Sequence, residues 1–481
     1  MENSKLVGLL KTFSIKEMRL FGQFIDSPYH NKNKTLSSFH KILSSAHPVF
    51  SGRQIDKQHV FRKLFGKEKF DDVKMRGIIS DLLALAEEFL SLENMKKQNF
   101  SAASFLLDEL NSRQSDVLFE LRLKQQLEKI KKSTTHNRWF FLDNFLVNAS
   151  HSNYMRRTSD GKDEIMIGAN ALENSLAALR DFFVYEGMQA SVGMTIMKGI
   201  INYPTSMTEL TGNVEKMIDE IPEPSHVLEY MKLFRKVAEK NNAAAYEKLK
   251  NDLLKSRPPF LGEEDLRTAF ELVYNYLAYQ VQIGKPSSSD SFLIGKRYYE
   301  LGLHIENGLV EVSYFSNTVM DALHEKEFDW AENFIRENEK YLPQEHKQNT
   351  INFTMGVLCE QKRNYSEALK YISRLKSTSV LMNLNIYSLF IKIYFAKDDM
   401  KQVINTSTNF INYLKANRKI PLHKKNACLN FSHFISMLAK IKIGKLKMEE
   451  GEFTKEVESR EHVALKVWML MRAKEIFAAQ L

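Results

Sequence analysis

The chain has 481 residues, which is enough for two or three ordinary domains or for one long array of repeats. It contains only 19 glycines and 10 prolines, about half of average usage, which disfavours the tight hairpins of a sandwich, barrel or propeller. The apolar share of 43% excludes a mainly disordered chain, and the net charge of +9 is concentrated in one late segment.

The N-terminal segment and the cysteines indicate the compartment. Residues 1–13 hold only a short apolar stretch, which is too short for the core of a signal peptide. No apolar run reaches the ~20 residues that a membrane-spanning helix needs. The only cysteines, Cys359 and Cys428, cannot build a disulfide framework and suit a reducing compartment. We therefore expect a cytoplasmic protein.

Two early segments carry clear helix signals. Ser14 and Glu17 form a capping-box pattern that predicts a helix from this point to about Ile25, ended by Asp26-Ser27-Pro28. Residues 70–92 alternate at helical spacing between an apolar face and an acidic face. The predicted apolar face consists of Val73, Ile78, Ile79, Leu82, Leu83, Leu85, Ala86, Phe89 and Leu90.

Three regions follow from the breaks in these patterns. We expect a helical head domain over residues 1–133 and a middle helical segment over residues 134–260. Residues 261–481 differ from both because they repeat, and they end in a predicted capping helix over residues 462–481.

The repeat has two motifs in each copy, separated by a turn. The first motif pairs a bulky residue with positions three, four and seven further on, at successive offsets of 41, 37 and 35 residues. Its four copies are Tyr274-Leu277-Ala278-Val281, Phe315-Thr318-Val319-Ala322, Asn352-Met355-Gly356-Cys359 and Tyr387-Phe390-Ile391-Tyr394. The second motif is a small or β-branched residue followed four positions later by another residue, as in Ala331…Ile335 and Ala368…Ile372.

This pattern resembles the tetratricopeptide repeat over residues 271–415. Small residues such as Ala278, Ala331, Gly356 and Ala368 allow two antiparallel helices to cross closely. We therefore expect an all-α protein: a right-handed solenoid of antiparallel helical hairpins, with an N-terminal helical head domain. Such units must stack, because one hairpin cannot bury its apolar face alone.

The resemblance also implies a ligand groove lined by the first helix of each repeat. The groove residues that it implies are Asn275, Tyr279, Ser316, Met320, Phe353, Val357, Ser388 and Lys392. Their mixed polar and aromatic character suits a peptide or protein segment. The alternative is that some of them only pack against the neighbouring helix. Only Lys392 is positively charged among them, which disfavours a partner's C-terminal carboxylate as the ligand.

The head has a second resemblance. Phe13-Ser-Ile-Lys-Glu17, Phe21, Phe24-Ile25 and the segment Ser27-Pro-Tyr-His-Asn-Lys-Asn33 resemble the opening of a group of uncharacterised helical proteins found in Bacteroidota. The resemblance covers about the first hundred residues and implies no activity.

No catalytic or metal-binding motif is present in the sequence. Gly284-Lys285 lacks the upstream glycine of a phosphate-binding loop, and no two histidines have the spacing of a helical zinc site. A nucleophile-elbow pattern is also missing, although a site built from distant segments would leave no such motif. We expect a scaffold or adaptor rather than an enzyme, with no metal and no cofactor.

The late charged segment supports one alternative function. Between Asp399 and Glu449 there are ten lysines and arginines and no acid, and Pro421 predicts a turn within this basic window. We expect a basic patch there from Lys415, Arg418, Lys419, Lys424 and Lys425. The window over residues 401–448, or a helix-turn-helix in the head, could serve a nucleic-acid-associated regulator. The simpler interpretation is a solvated helix face, because Phe431, Phe434 and Leu438 have core spacing.

Overall fold

The fold is seen in a computed structural model that describes residues 1–97, 102–201, 208–283, 289–376, 380–417 and 420–479. Across these ranges the regular elements are α-helices, two short 3₁₀ helices (Gly52–Ile55 and Glu339–Tyr341) and one two-residue hairpin. The hairpin pairs β1 (Ile305–Glu306) with β2 (Leu309–Val310) in antiparallel fashion. The prediction of an all-α protein is confirmed.

The chain divides into two compact units. The first comprises Met1–Ala190 and Met207–Glu229, and the second comprises Ser191–Ser206 and Tyr230–Leu481. Two helices, α9 and α11, contribute residues to both units. The helices up to that boundary are α1 (Lys5–Leu10), α2 (Ile15–Asp26), α3 (Lys34–Ser44), α4 (Lys57–Phe65), α5 (Asp72–Lys97), α6 (Ala103–Ser112), α7 (Asp116–Lys132), α8 (Arg138–Thr158), α9 (Lys162–Ile201), α10 (Thr208–Asp219) and α11 (His226–Ala238).

The predicted capping box begins α2 as expected. The Glu17 backbone N–H donates to Ser14 Oγ at 3.1 Å, and the Ser14 backbone N–H donates to Glu17 Oε2 at 2.8 Å. The helix ends at Asp26, one residue beyond the predicted end. Its Phe21 ring is fully buried in the core that α1 to α5 share.

The amphipathic helix α5 begins at Asp72, and its buried face starts later than predicted. Ile78, Leu82, Ala86 and Phe89 are buried, in agreement with the sequence pattern. Val73 was expected on the same face, but its side chain is 70% exposed. The first buried residue is Met75, because Val73 lies in the first turn of the helix, before the contact with the core begins.

The second unit is built from consecutive helix pairs, and each copy of the repeated pattern covers one pair. The copies fall on α13 and α14, α15 and α16, α17 and α18, and α19 and α20. The helices after α11 are α12 (Ala243–Lys255), α13 (Glu263–Gln282), α14 (Asp290–Glu300), α15 (Val312–His324), α16 (Phe328–Asn338), α17 (Gln344–Gln361), α18 (Tyr365–Ser373), α19 (Val380–Ala396), α20 (Met400–Ala416), α21 (Leu422–Lys442), α22 (Glu450–Glu458) and α23 (Lys466–Ala478).

In three of these pairs, the same type of turn joins the two helices of the pair. Lys326, Arg363 and Asp398 have φ angles of 62°, 60° and 61°, in the left-handed region. In each turn, the residue that follows donates its backbone N–H to the carbonyl of the residue five positions before it. The three N–O distances are 2.8, 2.8 and 2.9 Å. This bond satisfies a carbonyl that the end of a helix leaves unpaired. The turns are 37 and 35 residues apart, the same offsets as the sequence pattern.

The close crossing predicted at Gly356 is present. A Cβ atom added to Gly356 would lie 2.6 Å from Ile372 Cγ2, so only glycine fits between α17 and α18 without a shift. Ala331 and Ala368 are fully buried, as the second motif predicts. Ala278 is exposed, which corrects its predicted place at a crossing, because the side of α13 that faces inward carries Leu272, Val273, Tyr276 and Leu277 instead.

The predicted final helix is present as α23, but it begins at Lys466, four residues later than predicted, and it has a different buried face. The buried residues of α23 are Met469, Ala473, Ile476 and Phe477. Val467 and Met471, which suggested the helix in the sequence, are 75% and 54% exposed. Upstream, α21 buries Phe431, Phe434 and Leu438 as expected.

Among the described helices, none combines the length and apolar character that crossing a lipid bilayer requires.

Candidate functional site

The first two pairs leave part of the predicted groove open. Asn275 on α13 is exposed, and Tyr279, one turn later, is partly buried. On α15, Ser316 is partly buried and the Met320 side chain is 38% exposed. Lys240 Nζ lies 5.5 Å from the centre of the Tyr279 ring, so a cation already contacts one face of this aromatic residue.

The third pair closes the predicted groove. Phe353 and Val357 on α17 are only 7% and 6% exposed, so a ligand cannot reach them. They belong to the same apolar cluster as Leu389 and Ile393 of α19. These two residues therefore pack against the neighbouring helix α19 and do not line a groove. Burying two large apolar side chains there is more favourable than leaving them in water.

In the fourth helix pair, both predicted groove residues already have partners within the chain. Ser388 is partly buried, and its hydroxyl donates to the Leu384 carbonyl at 2.9 Å. Lys392 Nζ lies 2.9 Å from Glu360 Oε1, with both side chains largely buried. Because the charge of Lys392 is already matched by that of Glu360, it is not free to attract an acidic ligand.

A partly buried acid, which the sequence did not reveal, lies beside the open part of the groove. Asp321 follows Met320 on α15, and burial raises the pKa of its carboxyl group to about 6. The nearby Glu325 acts in the same direction, whereas His324 opposes it. No local sequence pattern marks such a carboxylate, since its burial depends on how the helices pack. The open surface of α13 and α15 therefore has acidic character at one point.

The predicted basic patch is only partly seen. Lys415 and Lys424 are exposed near the turn that joins α20 to α21. Lys425 donates weakly to the carbonyls of Lys415 and Asn417, at 3.5 and 3.4 Å, so it helps to close the end of α20. Arg418 and Lys419 lie outside the described residues.

The basic window as a whole is divided between two ends of one helix pair. The helices α20 and α21 pack together and are joined by a short connection, so they run antiparallel. Lys424 lies at the start of α21 and Lys442 at its end, about 27 Å apart at 1.5 Å per residue. Lys442 Nζ also lies 2.6 Å from Asp398 Oδ1. The described lysines of the window therefore lie at opposite ends of this pair.

A cleft in the first unit was not predicted at all. It lies between α7, α8 and α9 and has a volume of about 540 Å³. Its apolar lining includes Leu123, Leu127, Met155 and Ile167. Tyr154 donates from its hydroxyl to Glu120 at 2.8 Å, and burial together with this bond raises the pKa of the phenol to about 12. No sequence pattern marks the space that these helices leave between them.

Metal binding and thiol chemistry can be judged from the described residues. They contain no cluster of three or more His, Cys, Asp or Glu side chains that could hold a metal ion. Burial raises the pKa of the Cys359 thiol, and it raises that of Cys428 to about 11. A thiol is nucleophilic as its thiolate, so neither cysteine is activated.

The sequence matches no known protein-family model, and neither the curated proteins nor the solved structures contain a significant match.

Proposed function

We propose that the protein is a non-enzymatic scaffold or adaptor that binds a segment of a partner protein on the first helices α13 and α15 of its second unit. The observation that carries this proposal is the accessibility of Asn275 and Met320 on successive first helices. In a tetratricopeptide-like array, the surface of these helices is the ligand-binding groove.

The proposal includes a right-handed solenoid of stacked pairs. Two observations support it. The same left-handed turn joins the two helices in each of three successive pairs. The first helices also contact each other directly, α15 with α17 and α17 with α19. Units that contact only their neighbours in this way bury a continuous core as they stack.

The chemistry of the open surface suggests the character of the segment. Met320 is a flexible apolar contact, and Tyr279 offers a ring with a polar tip. Asn275 and Ser316 can exchange hydrogen bonds with a backbone, while Asp321 favours a positive charge. We expect a segment with one large apolar residue close to a lysine or arginine.

A nucleic-acid-associated role finds less support in the geometry. The lysines of the basic window are divided between opposite ends of α20 and α21, whereas backbone binding needs a continuous basic surface. A cytoplasmic setting fits the two unpaired thiols, Cys359 and Cys428.

A substitution pair tests the binding surface. Peptides are selected from a displayed random library against the purified protein, and their affinities are measured by fluorescence anisotropy. Met320→Lys should weaken binding at least about tenfold, because it removes an apolar contact and repels the positive charge expected in the ligand. Leu293→Lys is the matched control, since Leu293 is 45% exposed on α14, a second helix.

Equal losses in the Met320→Lys and Leu293→Lys variants would place the binding surface elsewhere. Failure to recover any peptide that binds above background would contradict the proposed function itself.

A further inference from the structure

The long helix α9 has an unusual distribution of side chains. In the first half of this helix the buried residues are small: Ala171, Ser175 and Ala178 are 2%, 2% and 3% exposed. Large apolar residues point to solvent instead, and Leu172 and Leu176 are 50% and 57% exposed. A helix that only served the core of its own unit would be expected to have the opposite arrangement.

The exposed residues have the spacing of a coiled-coil seam. They follow one another at alternating intervals of four and three, and they lie within the first unit. The seam consists of Ile165, Ala169, Leu172, Leu176, Leu179 and Phe183. This 3.5-residue period keeps one apolar stripe in contact with a partner helix along its whole length. Ile165, Leu179 and Phe183 are 61%, 40% and 46% exposed.

We propose that this seam pairs with the same seam of a second copy of the chain, as an antiparallel two-helix contact between homodimer subunits. An interface related by a two-fold axis must be complementary to itself. With Leu176 opposite Leu179 of the second copy, Leu172 lies opposite Phe183, so these four seam residues of each copy pair symmetrically, and Ala169 lies opposite Glu186.

The charges beside the seam favour this one register. Glu173 follows Leu172, and Arg180 follows Leu179. In the antiparallel register above, Glu173 of each copy lies opposite Arg180 of the other, which gives two attractive pairs by symmetry. A parallel pair would place Glu173 opposite uncharged residues. Within its own chain, Arg180 lies 2.7 Å from Asp181 and keeps donors for a second carboxylate.

In this register the paired seam residues, Leu172 to Phe183, extend over about 17 Å of helix, so the contact is short and its affinity should be modest. The proposal is independent of the peptide-binding surface, which lies in the other unit. Its test uses the full chain in sedimentation equilibrium over roughly 1–100 µM, the range in which a small interface associates.

The charges provide the sharpest test. Glu173→Arg alone and Arg180→Glu alone each convert both pairs to repulsive ones, so each variant should dimerise about tenfold more weakly than the wild type. In a mixture of the two variants, every pair between unlike chains is attractive again. The equimolar mixture should therefore associate like the wild type. A partner other than a second copy would not give this rescue.

The apolar seam is tested separately. Leu176→Asp should abolish dimerisation, whereas Val73→Asp should not, because Val73 is an exposed apolar residue on α5 away from the seam. Circular dichroism melting checks that each variant is folded. A wild-type chain that is monomeric throughout the range would overturn the proposal. A dimer that survives Leu176→Asp, or a variant mixture that stays as weak as its components, would also overturn it.

Discussion

Asp321 shows how the packing of helices changes the chemistry of a single residue. The carboxyl group of Asp321 has a pKa near 4 in the unfolded chain and a pKa of about 6 in the folded protein. The folded protein therefore loses stability relative to the unfolded chain as the pH rises from 4 through 6, by an amount on the order of 3 kcal/mol. Below pH 4 the group is protonated in both states and costs nothing.

Asp321→Asn should remove this cost. The variant should be more stable than the wild type at pH 7, and its advantage should be about 1 kcal/mol larger at pH 7 than at pH 5. Urea denaturation at the two pH values measures the difference. Asp329→Asn is the control, because the Asp329 carboxylate is 98% exposed. An advantage that does not change with pH would show that Asp321 is solvated.

Two glycines should respond in opposite ways to the same substitution. Gly356→Ala should destabilise the protein by roughly 1–3 kcal/mol, because the new methyl group collides with Ile372. Gly77→Ala should stabilise it by roughly 0.5–1 kcal/mol, since Gly77 lies within α5 and nothing lies within 4 Å of an added Cβ. Thermal melting of both variants checks this, and equal shifts would contradict the crossing of α17 and α18.

Among the elements, the turns inside the helix pairs are the most regular feature. Arg363 has a φ of 60°, a conformation that a β-branched residue tolerates poorly. Arg363→Val should therefore be less stable than Arg363→Gly by about 1 kcal/mol or more. Urea denaturation of the two variants measures this difference, and equal stability would mean that the turn is not left-handed.

The helices show which parts of the fold follow from sequence alone. Capping and spacing correctly predicted α2, where the signal is local to Ser14 and Glu17. Spacing also indicated α5 and α23, but Val73 and Val467 are exposed because apolar character alone does not set where contact with the core begins. The tetratricopeptide resemblance, in turn, could not predict that Phe353 would be buried, since that depends on the apolar residues that α19 presents.

At the scale of the whole molecule, the net charge of +9 is a poor guide to function. The basic window supplies this charge, yet its lysines are separated by the length of α21 and partly matched by Asp398. The cleft and the seam of the first unit were equally hidden in the sequence. Both depend on which faces of α7 and α9 remain uncovered when the unit folds.

The central claim is that a partner segment binds the first helices α13 and α15. Hydrogen–deuterium exchange, measured with and without a selected peptide, tests it most directly because it maps binding along the chain without a substitution. We predict slower exchange within residues 263–282 and 312–324, and no change in α14, α16 or the first unit. Protection confined to α14 and α16, or to the cleft between α7, α8 and α9, would contradict the claim.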